Sequence, residues 1–387
     1  MTNEMKNNDT KIKKLLKGIK NQLKAAVRTP WFWMLMLFPA ALILLAAARN
    51  IPGAADLYCN TVYRAISVIW NNISGILPLS VGEILVILVP FAAAAYIIAV
   101  VIIIIRAKGK RLKKLFLGIV RPVAAASVLY FLFITNCGIN YCCSNVSQQS
   151  GLAVREVSAG QLYEVCVYLA DQASYYRSRI QPDENEPVRV DISTACYNAR
   201  DAVNGLHSKY SFVPEGYSVP KSVILSRGMS YLDITGIYFP FTFEANVNTD
   251  SRNFTTPFTM CHELAHVRGF MHEADANFIA FLACINSESD EFRYSGFLCG
   301  LQYLSGHLSS ADTELYSSFF KHLSYGVLCD LKDKSDYWKQ FETPVAVTAA
   351  KINDSYLKHN FQQEGVKSYG MAADLIIAYY FDEISRQ

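Results

Sequence analysis

His262-Glu263-Leu264-Ala265-His266 is the stretch on which the reading of this chain turns. Two histidines four residues apart fall on one face of an α-helix, so both imidazoles can reach a single cation. Glu263 sits about one residue off that face, where its carboxylate can take a proton from water activated by the cation. The spacing H-E-x-x-H is that of a zinc hydrolase, with His262 and His266 as metal ligands and Glu263 as the base.

A catalytic Zn²⁺ site needs a third protein ligand and keeps one position for water. The next residues, Val267-Arg268-Gly269-Phe270-Met271-His272-Glu273, offer two neighbours. His272 completes the metzincin pattern H-E-x-x-H-x-x-G-x-x-H, whereas Glu273 opens a second helix. A single straight helix fails, because residue 273 would lie about 10 Å beyond His266 along the axis. The chain has to bend, and Gly269 can take the required backbone angles. After the bend, a face led by Glu273 carries Asn277 one turn on, in position to bond a ligand imidazole. A face led by His272 continues through Ala276, Ile279 and Ala283 and offers only packing. Glu273 is therefore the favoured third ligand and His272 the alternative. Asp275 reads as a supporting carboxylate or a solvated residue.

The front of the chain has another character. Residues 31–48 and 84–105 are apolar runs without charge, and 116–135 is a third, interrupted by Arg121 and Pro122. Each is long enough to cross a hydrocarbon core of about 30 Å at 1.5 Å per residue. The first is too long and too far from the start for a typical cleaved signal peptide, so it reads as a retained anchor. Basic residues crowd 1–30 and 106–114 and are sparse over 50–83, which predicts a cytoplasmic amino terminus and an external carboxy-terminal domain. Leu57, Val62, Ala65, Ile66, Ile69, Trp70 and Ile73 recur at helical spacing, predicting an amphipathic segment over 55–73 on the outer membrane surface or against the spans. The expected organisation is a basic tail over 1–30, a three-span anchor over 31–143 and an extracytoplasmic domain over 151–387.

A net charge of +3 gives no overall basic character, so nucleic acid is excluded as a partner. The lysine clusters read as topology determinants that also meet anionic membrane lipid. Of the ten cysteines, Cys59 and those from Cys137 onward would all face the oxidising side. None forms C-x-x-C, and no pairing is readable. Cys261 and Cys284 read as small buried hydrophobes.

In the external part, Ser158-Ala159-Gly160-Gln161 has the form of a capping box opening a helix to about residue 178. Residues 188–248 read as turns and short β-prone runs. The clearest strand is 236–247, and Pro240 inside it argues for an edge. That edge, with Tyr238, Phe239, Phe241, Glu244 and Asn246, is a candidate for pairing with an extended peptide. Residues 250–257 read as a loop, with the motif helix starting at Phe258. Further helices are expected over 274–287, 294–308, 311–323, 345–359 and 370–384. A few strands followed by many helices define an α+β class, mainly helical with a small sheet.

Three stretches carry a wider resemblance: residues 236–248 (GIYFPFTFEANVN), 257–284 (PFTMCHELAHVRGFMHEADANFIAFLAC) and 353–369 (NDSYLKHNFQQEGVKSY). With the apolar runs, they resemble a family of bacterial membrane proteins of unknown function that join three amino-terminal spans to a zincin-like domain. The chain is also similar to gluzincin peptidases, in which H-E-x-x-H is followed by a helix bearing E-x-x-A-D or E-x-x-A-N. Here that element is Glu273-Ala274-Asp275-Ala276-Asn277, so the resemblance implies Glu273 as third ligand and makes the match through His272 incidental. Gluzincins that trim prenylated proteins place their site among spans, whereas here the motif follows all three apolar runs. The expected activity is membrane-anchored zinc hydrolysis of a protein or peptide outside the cytoplasm. Tyr356, His359 and Tyr369 are the candidate oxyanion donors. A second reading is a zinc-fold sensor or scaffold that binds a peptide or cell-wall ligand without turnover. A third is hydrolysis of a non-peptide amide.

Overall fold

The computed structural model describes residues 28–107, 109, 111–360 and 369–384. The lysines of residues 1–27 lie outside the described residues, as do Lys108 and Lys110. The chain divides into two compact units, one holding residues up to Asn50 with Ile87–Thr135, the other Ile51–Val86 with Asn136 onward.

Three long apolar helices supply the first unit: α1 (Pro30–Asn50), α3 (Val81–Arg106) and α4 (Arg111–Asn136). All three are long and apolar enough to cross a membrane, and their apolar side chains are mostly exposed. Within the unit, the Tyr96 hydroxyl donates to the Gly118 carbonyl at 3.0 Å. A Cβ on Gly118 would come within 2.7 Å of Val100, so glycine permits the close approach of α3 and α4. Arg121 lies over the Trp31 ring at 5.4 Å, giving its charge a partner inside an apolar stretch.

The segment expected to belong to the anchor instead joins the second unit. Its main helix, α2 (Arg64–Ser74), buries Ser67, Asn71 and Ser74 and exposes Ile69, Trp70 and Ile73. On that polar side the Ser74 carbonyl accepts from Lys221 Nζ at 2.6 Å, while Ser67 Oγ donates to the Arg64 carbonyl of its own helix. Just before it, Tyr63 is 2% exposed and its hydroxyl donates to the carbonyls of His266 and Val267 at 3.2 and 3.1 Å. A disulfide joins Cys59 to Cys143.

The sheet has three strands in the order β1 (Lys221–Ser222), β3 (Glu244–Val247), β2 (Gly236–Phe239). The first pairing is parallel and the second antiparallel. The single strand expected over 236–247 is thus a hairpin, with Pro240 in its turn and Phe243 at φ 55°. Of the two hairpin strands only β2 lies at an edge; all four residues of the central β3 are buried. Glu244 and Asn246 therefore cannot meet a peptide. The Glu244 carboxylate instead accepts from Lys221 Nζ (2.6 Å), Gly82 N (2.7 Å), Val81 N (3.1 Å) and Thr242 Oγ1 (2.9 Å). Those amides open α3, where a helix amino terminus favours negative charge.

Helices fill the rest: α5 (Ala159–Ile180), α6 (Ile192–Gly205), α7 (Thr255–Val267), α8 (Glu273–Ile285), α9 (Asp290–Ala311), α10 (Tyr325–Lys339), α11 (Pro344–His359) and α12 (Tyr369–Tyr379). Ser158 caps α5 in the expected reciprocal box with Gln161. Two of these helices were not expected. α6 begins at the capping carboxylate of Asp191 and packs Ala195, Ala199, Ala202 and Val203 inward. α10 begins at Ser324, whose hydroxyl accepts from Val327 N. The motif helix also starts earlier than expected, with Pro257 in its first turn, where the missing N–H costs no bond.

Phe258, Met260, Leu264, Phe278, Phe281, Phe292 and Leu298 form the core between α7, α8 and α9. Each such side chain contributes about 1.5–3 kcal/mol on burial. Arg177, 1% exposed, clamps α5 to α10 through Asp330 at 2.6 Å, and Asp330 also accepts from Val188 N and the Tyr294 hydroxyl.

Candidate metal centre

α7 ends in a tight reversal. Gly269 takes φ 105°, its amide donates to the His266 carbonyl at 3.0 Å, and the Phe270 amide donates to Ala265 at 3.1 Å. That left-handed residue turns the chain so that His272 caps α8 and Glu273 becomes its first residue. His262, His266 and Glu273 consequently offer ligand atoms within 4.8 Å of one another. Glu273 Oε2 lies 3.3 Å from His262 Nε2, and Oε1 lies 3.7 Å from His266 Nε2. Each side chain keeps 10–13% of its surface exposed.

The outer nitrogens are tied down. His262 Nδ1 bonds Asn277 Oδ1 at 2.7 Å, and the same oxygen accepts from the Tyr303 hydroxyl at 2.9 Å. His266 Nδ1 bonds the Phe270 carbonyl at 2.7 Å. Both partners are acceptors, so Nδ1 carries a proton on each ring and Nε2 is the nitrogen turned toward Glu273. Asn277 thus lies beside the trio as the helical period implied.

With protons as the only counter-charge, the trio is strained electrostatically. Burial disfavours the His262 imidazolium, but the hydrogen bond and charge of Glu273 outweigh it and push the ring up to about 9. Burial, together with the charge of His262, drives His266 down to about 4. A divalent cation would take the place of the shared proton, and two imidazoles plus one carboxylate form a ligand set that leaves a position open.

Glu263 is 4% exposed. Burial pushes its carboxyl up to about 8, opposed by His262 and by the Tyr238 amide that bonds it, and assisted by Glu273. Its Oε2 has no partner among the described residues. β2 runs against this carboxylate, and a Cβ on Gly236 would sit 2.5 Å from Oε1. Two imidazoles and a carboxylate converging in this way could hold a metal ion, and the unpaired Glu263 oxygen belongs to the same motif helix.

The other candidates fall in different places. His272 is half-buried outside the trio, its ring edge-on to Tyr141 at 5.9 Å. Asp275 is buried and accepts the Val146 amide at 3.1 Å rather than a ligand imidazole. Tyr238 is buried, and its hydroxyl donates to the Asn136 carbonyl at 3.0 Å. Phe239 and Phe241 meet edge-to-face with rings 5.3 Å apart, and Phe239 lies against Gly82 at the start of α3. Tyr356 is near enough to Glu273 for that charge to push its phenol pKa up further, after burial. His359 is exposed at the end of α11 and makes no bond to the trio. The Tyr369 side chain lies outside the described residues.

Sequence reasoning did not single out Tyr63, Tyr141 or Tyr303. All three come from segments far from the motif, and no local spacing marks them.

The fold and site define a protein with three apolar helices and a helical unit carrying a partly buried His-His-Glu cluster. The chain belongs to the protein family of unknown function DUF3810, which matches residues 58–377. No curated protein and no solved structure matches it.

Proposed function

We propose that this protein is a membrane-anchored zinc metallopeptidase with a zincin-like domain outside the cytoplasm. The observation that carries the reading is Glu263, a buried carboxylate with an unpaired oxygen beside three convergent metal donors. Pure binding has no use for such a group. Zn²⁺, when bound by His262, His266 and Glu273, supplies a Lewis acid that polarises a carbonyl and acidifies water. Glu263 then accepts the proton of the attacking water and passes it to the leaving amine. Tyr356 is the phenol assigned to the developing oxyanion.

The edge of β2 supports an extended peptide as substrate. The Thr235 carbonyl accepts from Asn248 N, so alternation turns the backbone of Gly236 and Tyr238 away from β3, toward Glu263. A peptide added along that edge would take the Tyr238 amide from Glu263 and carry its own amides past the base. The disulfide between Cys59 and Cys143 fits an oxidising compartment, and the exposed apolar side of α2 fits a lipid surface.

The test compares fragments released from membranes of cells carrying wild-type protein or Glu263→Gln. The substitution should leave zinc content unchanged and abolish release of specific fragments. Identical fragment profiles, with the variant as active as wild type, would reject the role of Glu263.

A further inference from the structure

The charge-free stretch of α3, residues 84–105, is about 33 Å of helix, the length of one hydrocarbon core. When α3 crosses a bilayer, Glu83 therefore stands at the membrane boundary, with Val81 and Gly82 just beyond it among the headgroups. Asn136, the last residue of α4, follows its own apolar run and marks that boundary a second time.

Both helix ends grip the hairpin of β2 and β3. A Cβ on Gly82 would meet Phe239 at 2.8 Å, and the amides of Val81 and Gly82 donate to Glu244. Asn136 Nδ2 donates to the Pro240 carbonyl at 2.9 Å, and the Asn136 carbonyl accepts from the Tyr238 hydroxyl at 3.0 Å. The other end of β2 is Gly236, where a Cβ would sit 2.5 Å from Glu263 Oε1. All of these residues belong to the second unit. From Phe239 back to Gly236 is about 10 Å of strand. With the contacts at each end, Glu263 stands no more than about 15 Å from the first turn of α3, whatever the tilt of the strand.

The surface at that level is apolar. The Glu83 carboxylate accepts from Ile224 N at 3.0 Å and Leu225 N at 2.7 Å, and both of those side chains are exposed. Ile76, Leu77 and Leu79, just ahead of α3, are exposed as well. Such side chains beside the start of a span suit the interface of a bilayer.

We propose that the substrate is a polypeptide held in the same bilayer and cut within about ten residues of its own membrane attachment. This substrate class rests on the peptidase reading above and narrows it. An extended chain climbs about 3.3 Å per residue, so about five residues cover the 15 Å to the base. A headgroup layer of about 7 Å adds two or three more. The Phe239 end of β2 lies at the boundary and the Gly236 end at Glu263, so a chain paired along this edge runs from the membrane to the base. Tethering raises the local concentration of such a chain to about the millimolar range, a gain that a soluble protein lacks. Hydrolysis adds water across the peptide C–N bond. One product gains a carboxylate and the other an amine, and one of the two stays in the membrane.

Two measurements on the full chain test this. The first needs no activity. Ile237→Cys, at an exposed position of β2, is labelled with a nitroxide and reconstituted in phosphatidylcholine vesicles with or without a nickel-chelating headgroup lipid. Labelled wild type gives the background from native thiols. Nickel on the headgroups should shorten the relaxation time of the Ile237→Cys label; an unchanged time would place β2 away from the bilayer and overturn the proposal. The second maps the termini of products that appear in cells with wild type and are lost with Glu263→Gln. These termini should lie within about ten residues of a transmembrane segment or a lipidated residue, and the stub kept in the membrane tells which. Cuts in soluble proteins, or more than about twenty residues from any attachment, would overturn the substrate class and leave the peptidase standing. A label close to the headgroups with no product that depends on Glu263 would instead remove the peptidase, and its substrate with it.

Discussion

Replacing Asn277 with leucine separates metal affinity from fold stability. Asn277 Oδ1 holds the His262 ring at 2.7 Å and fixes its tautomer. Losing such a support lowers metal affinity about 10–100-fold, or about 1.4–2.7 kcal/mol. The fold should barely notice. Asn277 is 2% exposed, and its Nδ2 lacks a partner among the described residues, so leucine removes one unmet donor from the interior and offsets the His262 Nδ1–H that it leaves unpaired. Tyr303 loses an acceptor but is half-buried and can turn to water. The metal-free melting temperature should therefore stay level or rise while zinc affinity falls. Competition with a chromogenic chelator on the purified full chain reads the first quantity, and unfolding without metal reads the second. Tyr303→Phe should follow in the same direction with a severalfold loss. A leucine variant that folds as wild type and binds zinc within about twofold of it would refute the idea that Asn277 orients His262 for a metal.

Other outcomes follow from separate parts of the molecule. Gly236→Ala places a Cβ 2.5 Å from Glu263 Oε1, so it should cost about 1–3 kcal/mol in stability and displace the base. Zinc content should persist while fragment release falls, and unchanged release would disprove the contact. Arg177→Met leaves Asp330 buried without its cation and should destabilise the chain by about 3–5 kcal/mol in denaturant unfolding; a loss under about 1 kcal/mol would show the pair to be dispensable. Burial, reinforced by the charge of Asp191, pushes Glu291 from 4.5 up to about 7. The folded form then holds a proton that the unfolded chain has released, so this group lowers stability as pH climbs from about 4.5 to about 7, and the loss persists above. Allowing for partial exposure and the favourable start of α9, Glu291→Gln should gain roughly 1 kcal/mol at pH 8 and nothing at pH 4, read from melting curves at both.

The centre of the site was legible because it is local. The spacing of His262 and His266, the glycine at 269 and the helical offset from Glu273 to Asn277 all lie within a short run whose period fixes faces. The hairpin was not legible for a reason visible in its turn. Pro240-Phe241-Thr242-Phe243 has no glycine or asparagine, and Phe243 itself takes the left-handed angles that those residues usually supply. α6 escaped notice because its inner face is built of alanines, whose apolar signal is weak. The residues that brace the site from outside the motif, Tyr63 and Tyr303 above all, depend on tertiary contacts that no periodicity reports.

The grouping of residues 51–86 with the carboxy-terminal part governs how the protein can be dissected. A soluble piece begun after the last apolar helix would discard the phenol under the end of the motif helix, one half-cystine, and the amides that hold Glu244. It would expose a buried carboxylate and lysine with half their cage gone. Crystallographers seeking a membrane-free version would do better to splice the early loop back onto the later chain with a short linker than to truncate.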